Sequence, residues 1–284
     1  MHKPAFLSRQ IGDFQVTPLS DGSMAAGLAL LSGINIDDAA DIQRSAGVID
    51  PGNIDISGYL IRGRGRTILV DAGTGSGVLE TSLRAAGSAP DDVDTVLLTH
   101  AHPDHIGGLL DANGAPRYRH ARLYLHPLEA EYWQDDAMLN RANARGQRNF
   151  TLARRALDAY SRSLGFLDER EAVAGIRPLW LTRGPPGPNI AGHTPGHSGF
   201  RIDAAAQSLL IWGDIVHFPH IQTARPAAAV AFDCDPAQAR ATREAILAQA
   251  VSENLLIAGM HLGGSGFAHI LPTSHGYRIQ YSAP

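Results

Sequence analysis

The chain has 284 residues, a single cysteine, 44% hydrophobic residues and a formal net charge of -4. That length and apolar content suit a soluble globular protein with a sizeable core. One cysteine excludes an internal disulfide framework and a Cys-rich zinc site. The acidic balance excludes the basic footprint of a nucleic-acid binder or a polybasic membrane patch.

In chain order, Asp13–Leu19 alternates apolar and polar residues and ends at Asp21-Gly22, which predicts an opening strand. Residues 1–13 show no apolar signal-peptide core and Gly27–Leu31 is too short to span a membrane, so the expected location is the cytoplasm. Residues 23–52 read as a long apolar connection placed to lie over a pocket. Ser57–Ile61 and Thr67–Val70 predict a hairpin around Arg62–Arg66, whose arginines read as solvated turn charges. Asp71-Ala72-Gly73 closes the second strand. Residues 78–89 predict a short helix ended by Gly87. Val96-Leu97-Leu98 is then a short apolar strand.

The loop after that strand carries the chemistry. In Thr99-His100-Ala101-His102-Pro103-Asp104-His105-Ile106-Gly107-Gly108, four metal-capable side chains fall within six residues. A loop at a strand end can aim several side chains at one point, and imidazole with carboxylate suits zinc or a similar divalent ion. His100 and His102 alternate along an extended segment and can face one ion. Asp104 and His105, beyond the bend at Pro103, face a second, so the cluster points to two metals.

His120–Leu125 predicts another strand, and residues 127–165 two amphipathic helices forming a cap over the site. Gly184–Pro188 reads as a rigid turn inside a single domain covering residues 1–284. Beyond it, His193 and His197 bracket a Pro-Gly turn and so do not both reach one metal. Ser208–Asp214 reads as a strand ending in a carboxylate, Leu255–His261 as a strand ending in a histidine. Strand ends repeatedly deliver a His or an Asp, which places a site along one sheet edge.

With these motifs in view, the chain resembles the metallo-β-lactamase superfamily of hydrolases, from Asp13 to Tyr277. Within it, the pattern is similar to the methyl parathion hydrolase group and its lactonase relatives. The stretches that carry this are Ile11–Val16, Leu19–Gly22, Leu69–Gly73, Glu131-Tyr132-Trp133 and Phe267–Ile270. The resemblance implies an α+β fold, an αββα four-layer sandwich of two mixed sheets with helices outside, and a homodimer. It implies that His100, His102 and His197 hold one ion, that Asp104, His105 and His261 hold the other, and that Asp214 bridges. His193 is then a flanking residue and Asp71 orients a ligand histidine. The cofactor expected is two divalent ions, zinc first, with Mn, Co or Fe open.

The implied activity is a metal-dependent hydrolase of a small ester-like substrate, a lactone or an organophosphate triester. Its nucleophile is a hydroxide generated between the ions. Ser198 has no base beside it and reads as a turn hydroxyl. Asp104 or His217 is expected to protonate a leaving alkoxide. His217 stands where many lactonases of the superfamily carry a tyrosine. His269 matches a histidine of the parathion hydrolase pattern and is expected to touch substrate. Trp133, Met24 and Phe267 are candidate pocket walls. The alternatives are a β-lactamase, or an iron-dependent oxidoreductase of the same superfamily. The latter would be expected to replace His102 by a carboxylate.

Overall fold

The structure is a computed structural model that describes residues 7–180 and 192–283. In chain order the elements begin β1 (Arg9–Ile11), β2 (Phe14–Ala25), β3 (Leu31–Ser32), α1 (Ile36–Ser45), β4 (Asn53–Gly63), β5 (Arg66–Val70) and α2 (Val78–Ala85). Next come β6 (Thr95–Leu97), α3 (Pro103–Ile106), β7 (Arg122–Leu125), α4 (Pro127–Gln134), α5 (Asp136–Arg141), α6 (Ala144–Ala159) and β8 (Leu164–Phe166). The second half holds β9 (Arg177–Trp180), β10 (Ser198–Ile202), β11 (Leu209–Ile211), α7 (Pro219–Ala224) and β12 (Ala229–Val230). It closes with α8 (Pro236–Ser252), β13 (Leu256–Ala258), β14 (Ala268–Thr273) and β15 (Gly276–Tyr281).

One sheet runs β1-β2-β4-β5-β6-β7-β8 and the other β15-β14-β13-β11-β10-β9, with β12 and β3 paired separately. Strand alternation sorts the side chains into layers. Tyr59, Ile61, Val70 and Leu97 point inward and meet Phe200, Ile211, Leu256 and Phe267 of the other sheet. Their neighbours Leu60, Leu69, Val96 and Leu123 point outward, onto Leu83 of α2 and Phe150 and Ala153 of α6. On the far side, Leu210 and Ile257 face Ile246 and Leu247 of α8. This is the four-layer αββα order expected from the sequence. Each such leucine contributes roughly 1.5–3 kcal/mol by burial, so truncating one, as in Leu69→Ala, costs about 2–5 kcal/mol.

The site is positioned by two parallel strand pairs. β5 and β6 are parallel neighbours in one sheet, and β11 and β13 in the other. Their apolar, buried C-terminal residues end at the same edge of the sandwich, and the chemistry-bearing loops leave from there.

Several local expectations need adjustment. The opening strand continues as β2 through the irregularity at Ser20–Ser23, where the register shifts against β4. Residues 23–52 are more ordered than a loop: they include β3 and α1, whose cap is the Asn35 side chain accepting from the Asp37 amide. The hairpin turn is Arg64-Gly65, both left-handed, and Arg64 pairs with Asp13 on the surface, in keeping with turn charges. Residues 127–165 form three helices rather than two, ending at Ala159, and β8 then joins the first sheet parallel to β7. The helices are therefore a crossover between two parallel strands. The expected turn at 184–188 lies outside the described residues.

Candidate metal centre

Asp71 follows β5 in the left-handed region, with φ 57°. A non-glycine residue holds such a conformation only when its surroundings enforce it. Here the Asp71 amide donates to the Leu97 carbonyl at 3.0 Å. Its carboxylate takes the Thr99 amide at 2.8 Å and the Thr99 hydroxyl at 2.7 Å. That fastens the loop beyond β6 at its root. From this root the chain presents His100, His102, Asp104 and His105. Beyond β11, Gly213 turns with φ 57° and presents Asp214. Beyond β13 comes His261, and the turn before β10 carries His193.

These residues converge on one atom. Asp214 Oδ2 lies 3.7 Å from His100 Nε2, 3.2 Å from His105 Nε2 and 3.4 Å from His193 Nε2. It lies 3.1 Å from His217 Nε2 and 3.2 Å from His261 Nε2. Two sets of donors flank it. His100 Nε2, His102 Nδ1 and His193 Nε2 are mutually 3.0–3.2 Å apart. On the other side, Asp104 Oδ2 is 3.5 Å from His261 Nε2 and 3.7 Å from His105 Nε2. Both sets, {His100, His102, His193} and {Asp104, His105, Asp214, His261}, could hold a metal ion.

The hydrogen bonds behind the rings test that fit. His105 Nδ1 donates to Asp71 at 2.6 Å, and His193 Nδ1 to Asp233 at 3.0 Å. His261 Nδ1 donates to the Asp55 carbonyl at 2.7 Å. His100 Nδ1 faces the Thr99 hydroxyl at 3.0 Å, whose own proton goes to Asp71. An imidazole so anchored has only its inner nitrogen left for the cluster, and turns a bare lone pair inward when neutral. Among His100, His102 and His193 lone pairs thus face one another at 3.0–3.2 Å, a repulsive arrangement that a divalent cation would relieve, while His105 and His261 face the Asp214 carboxylate at 3.2 Å, where a cation would take the place of their inner protons. Asp214 Oδ1, buried without a hydrogen-bond partner, fits the same reading. The donor set, imidazole and carboxylate with anchoring partners, is that of a zinc-type site.

Electrostatics divide the cluster into two kinds of ring. Burial, with neighbouring imidazoles adding to it, holds His100 and His102 well below the ordinary imidazole range. Burial opposes charge on His105 too, but Asp214, Asp104 and Asp71 outweigh it and raise that residue well above the range. Burial likewise works against the Asp214 carboxylate, yet His105 and His261 bring it well below the usual carboxylate range.

Two expected site residues are placed otherwise. His197 does not enter the cluster as a donor: its Nε2 accepts the Asp214 backbone amide at 2.9 Å. A side chain on Gly213 would meet that same nitrogen at 2.4 Å. His197 therefore shapes the turn that presents Asp214, and His193 occupies the converging position. His269 is remote. On β14 it pairs with Gln207 at 2.8 Å, ahead of the start of β11, whereas Asp214 lies past the end of that strand. Phe267 is buried in the core between the sheets, not in a pocket wall. His217, by contrast, belongs to the cluster. It stacks on His261 with centroids 5.0 Å apart, and burial pushes its pKa down to about 4.

Sequence reasoning missed the residues behind the cluster. Glu129 of α4 is fully buried and takes three donors: the Ala101 amide at 2.9 Å, the Gly196 amide at 2.9 Å and the Trp133 indole at 2.7 Å. Gln222 of α7 accepts the His217 amide at 2.6 Å and donates to the Ala228 carbonyl at 2.9 Å. Arg243 of α8, 1% exposed, donates to the Ile215, Pro226 and Ala228 carbonyls at 2.7–2.9 Å. Its guanidinium lies 3.7 Å from Asp233, the partner of His193. A fully buried arginine is rare and needs this kind of pairing. The Asp235-Pro236 start of α8, with Asp235 capping, was the one local signal nearby.

A cavity of about 350 Å³ opens above the cluster. Its floor is His102, Asp104, Asp214 and His217, and its apolar walls are Met24, Ile54, Trp133, Phe150 and Phe232. Asn143, Arg145 and Asn149 of the α5–α6 segment complete it. Among the described residues no helix is long and apolar enough to cross a membrane.

Comparison with known proteins places this architecture. A hydroxyacylglutathione hydrolase of Aeromonas hydrophila is 37% identical over 83 residues, 28% of this chain and 30% of that protein. The match thus spans less than a third of that relative's length. A crystal structure of AbOPH, a hydrolase in the β-lactamase superfamily, superposes with a TM-score of 0.88 at 27% identity, covering 98% of this chain and 97% of the other. AidC, a dizinc quorum-quenching lactonase, superposes with the same TM-score of 0.88 at 22% identity over 98% and 97% of the two chains, a likeness of fold. The metallo-β-lactamase superfamily model matches residues 52–261, a span that takes in Asp71, the loop at His100–His105, His193, Asp214 and His261, and the chain belongs to that superfamily.

Proposed function

We propose that the protein is a dinuclear metal-dependent hydrolase of ester-like bonds, with a lactone as the first expected substrate and an organophosphate triester as the second. His100, His102 and His193 would hold one ion, Asp104, His105 and His261 the other, and Asp214 would bridge. When bound, two divalent ions, zinc first, lower the pKa of a water held between them and polarise the carbonyl or phosphoryl oxygen of the substrate. The observation that carries the reading is the approach of five imidazoles to one Asp214 oxygen, four of them with the far ring nitrogen held by a neighbouring group.

The chain's own residues supply the rest. Asp71, Asp233 and the Asp55 carbonyl fix ring orientation and tautomer. The apolar walls exclude bulk water and strengthen electrostatic interactions at the floor. His217 lies on that floor with Nε2 beside Asp214. Its place on the cavity side and its neutral ring make it the residue to orient the electrophile, and Asp104 is the candidate to pass a proton to the leaving alkoxide.

The test is metal analysis and kinetics on one sample, with an acyl-homoserine lactone, a p-nitrophenyl phosphotriester and a chromogenic cephalosporin. About two metals per chain with lactone turnover supports the reading. Turnover of the phosphotriester alone moves the assignment to that class. Cephalosporin turnover alone makes the protein a β-lactamase, and one metal or none with no hydrolysis removes the proposal.

A further inference from the structure

Among the described residues that line the cavity, one is an arginine and no acid is free to match it. Arg145 sits in the first turn of α6, exposed, with its guanidinium carbon 4.6 Å from the centre of the Phe232 ring. That contact holds the charge at the cavity rim while leaving its donors unused, since a ring face accepts the cation without consuming the N–H fork. Among the described residues no carboxylate lies within ion-pairing distance of Arg145. The two acids lining the cavity, Asp104 and Asp214, are both engaged with the histidine cluster. The surrounding segment is cationic as well. Residues 137–157 contain five arginines and no acid in a chain whose net charge is -4. Of these, Arg154 is paired, with Asp136 at 2.8 Å. A positive rim over an apolar, partly enclosed cavity concentrates anions.

We propose that the substrate carries an anionic group, a carboxylate in the first instance, remote from its scissile bond, and that Arg145 binds it at the rim opposite the histidine floor. This rests on the hydrolase reading and narrows its substrate class, from neutral esters or lactones to those whose acyl or alcohol portion ends in an anion. The guanidinium presents a planar fork suited to a carboxylate. Asn149, one helical turn further along α6, lines the same cavity and offers an amide beside it. The apolar walls between rim and floor take the connecting hydrocarbon.

The test compares 4-nitrophenyl hydrogen adipate with its methyl ester, a pair differing in the distal charge, on the metal-loaded protein. The expected result is a kcat/KM about tenfold or more higher for the acid, carried mainly by KM and shrinking as salt rises from about 0.05 to about 0.5 M. Arg145→Ala should collapse the acid-to-methyl-ester ratio towards one, and Arg145→Lys, which keeps a point charge and loses the fork, should restore part of it. Equal turnover of the two esters by the unaltered protein, or a ratio that survives Arg145→Ala, overturns the proposal. If neither ester is cleaved, the hydrolase reading is judged by the lactone, phosphotriester and cephalosporin assays. The anion site is then judged by calorimetry with monomethyl adipate against dimethyl adipate. Binding of the monoacid that Arg145→Ala abolishes upholds it, and no Arg145-dependent binding removes it.

Discussion

The floor and the rim of the cavity are built on different principles. At the floor, every donor but His193 lies a few residues beyond a buried parallel strand, and His100, His105, His193 and His261 each have their far ring nitrogen engaged by Thr99, Asp71, Asp233 or Asp55. At the rim, Arg145 is held by one ring face and Asn143 by its own helix cap, through the Gly146 amide at 2.9 Å. The contrast separates chemistry from selection. A geometry that must place lone pairs to within tenths of an ångström needs strand ends and buried partners. A surface that chooses among substrates can vary on the α5–α6 segment without disturbing the floor.

The largest effect should come from breaking the floor at its centre. Asp214→Ala removes the oxygen approached by five imidazoles, and hydrolysis should fall by about a thousandfold or more. Metal analysis should show the loss of at least one ion per chain. Retention of both metals and of activity would mean that the convergence on Asp214 is not the reactive centre.

Next comes the support behind the floor. Arg243→Met leaves three carbonyls and Asp233 without their cation, which should cost about 3–5 kcal/mol, read as a lower midpoint in urea unfolding. A change below about 1 kcal/mol would show that this charge is dispensable to the fold.

The metal-free protein should also reveal the floor through pH. Burial lowers His197 to about 3 and His217 to about 4. The unfolded chain therefore takes up protons below about pH 6.5 that the folded one refuses, so stability is lost as pH falls from about 6.5 towards about 4. His105 and His261 are raised by Asp214 against the opposing effect of burial. They contribute stability below about pH 6.5 that is lost as pH rises through their folded values. Urea midpoints in the presence of a chelator should peak near neutrality and fall by about a few kcal/mol on either side. A flat profile would contradict the charge assignment of the cluster.

Smaller effects sharpen the comparison. Asp71→Asn keeps a residue that tolerates the left-handed backbone but replaces one acceptor by a donor facing Thr99 and His105. Metal affinity, measured by chelator competition, should weaken about 10–100-fold. At the rim, Asn143→Ala removes a helix cap and should cost about 1 kcal/mol with metal content unchanged. Loss of metal in that variant would show that floor and rim are coupled.

Legibility in the sequence divides along the same line. The loop at His100–His105, Asp214 and His261 stood out because ligand-type residues recur just after apolar strands. Asp71 was expected to orient a ligand histidine, and it bonds His105. The choice between His193 and His197 was not readable. Both flank the same Pro-Gly turn, and what separates them is the Asp214 amide, which reaches His197 only through the folding of Gly213. Glu129, Gln222 and much of the Arg243 network act on backbone amides and carbonyls, and backbone groups leave no mark in residue identity. The helix α1 carried a cap at Asn35 and acids in its first turn, yet its polar composition disguised it as a connection. His269 illustrates the opposite failure. A motif match gave it a role, but β14 runs antiparallel to β13 and carries it towards the far edge of the sheet.

Glu129 has a consequence for anyone who would reshape this protein. One carboxylate joins the Trp133 indole, a wall of the cavity, to the Ala101 amide between His100 and His102 and to the Gly196 amide beside His197. Enlarging the cavity at Trp133 is thus not a local edit. It releases one of three tethers on a shared anchor, and a library built at that position samples altered metal loading together with altered substrate range. Met24, which lines the same cavity without touching that anchor, is a position at which shape can be changed alone.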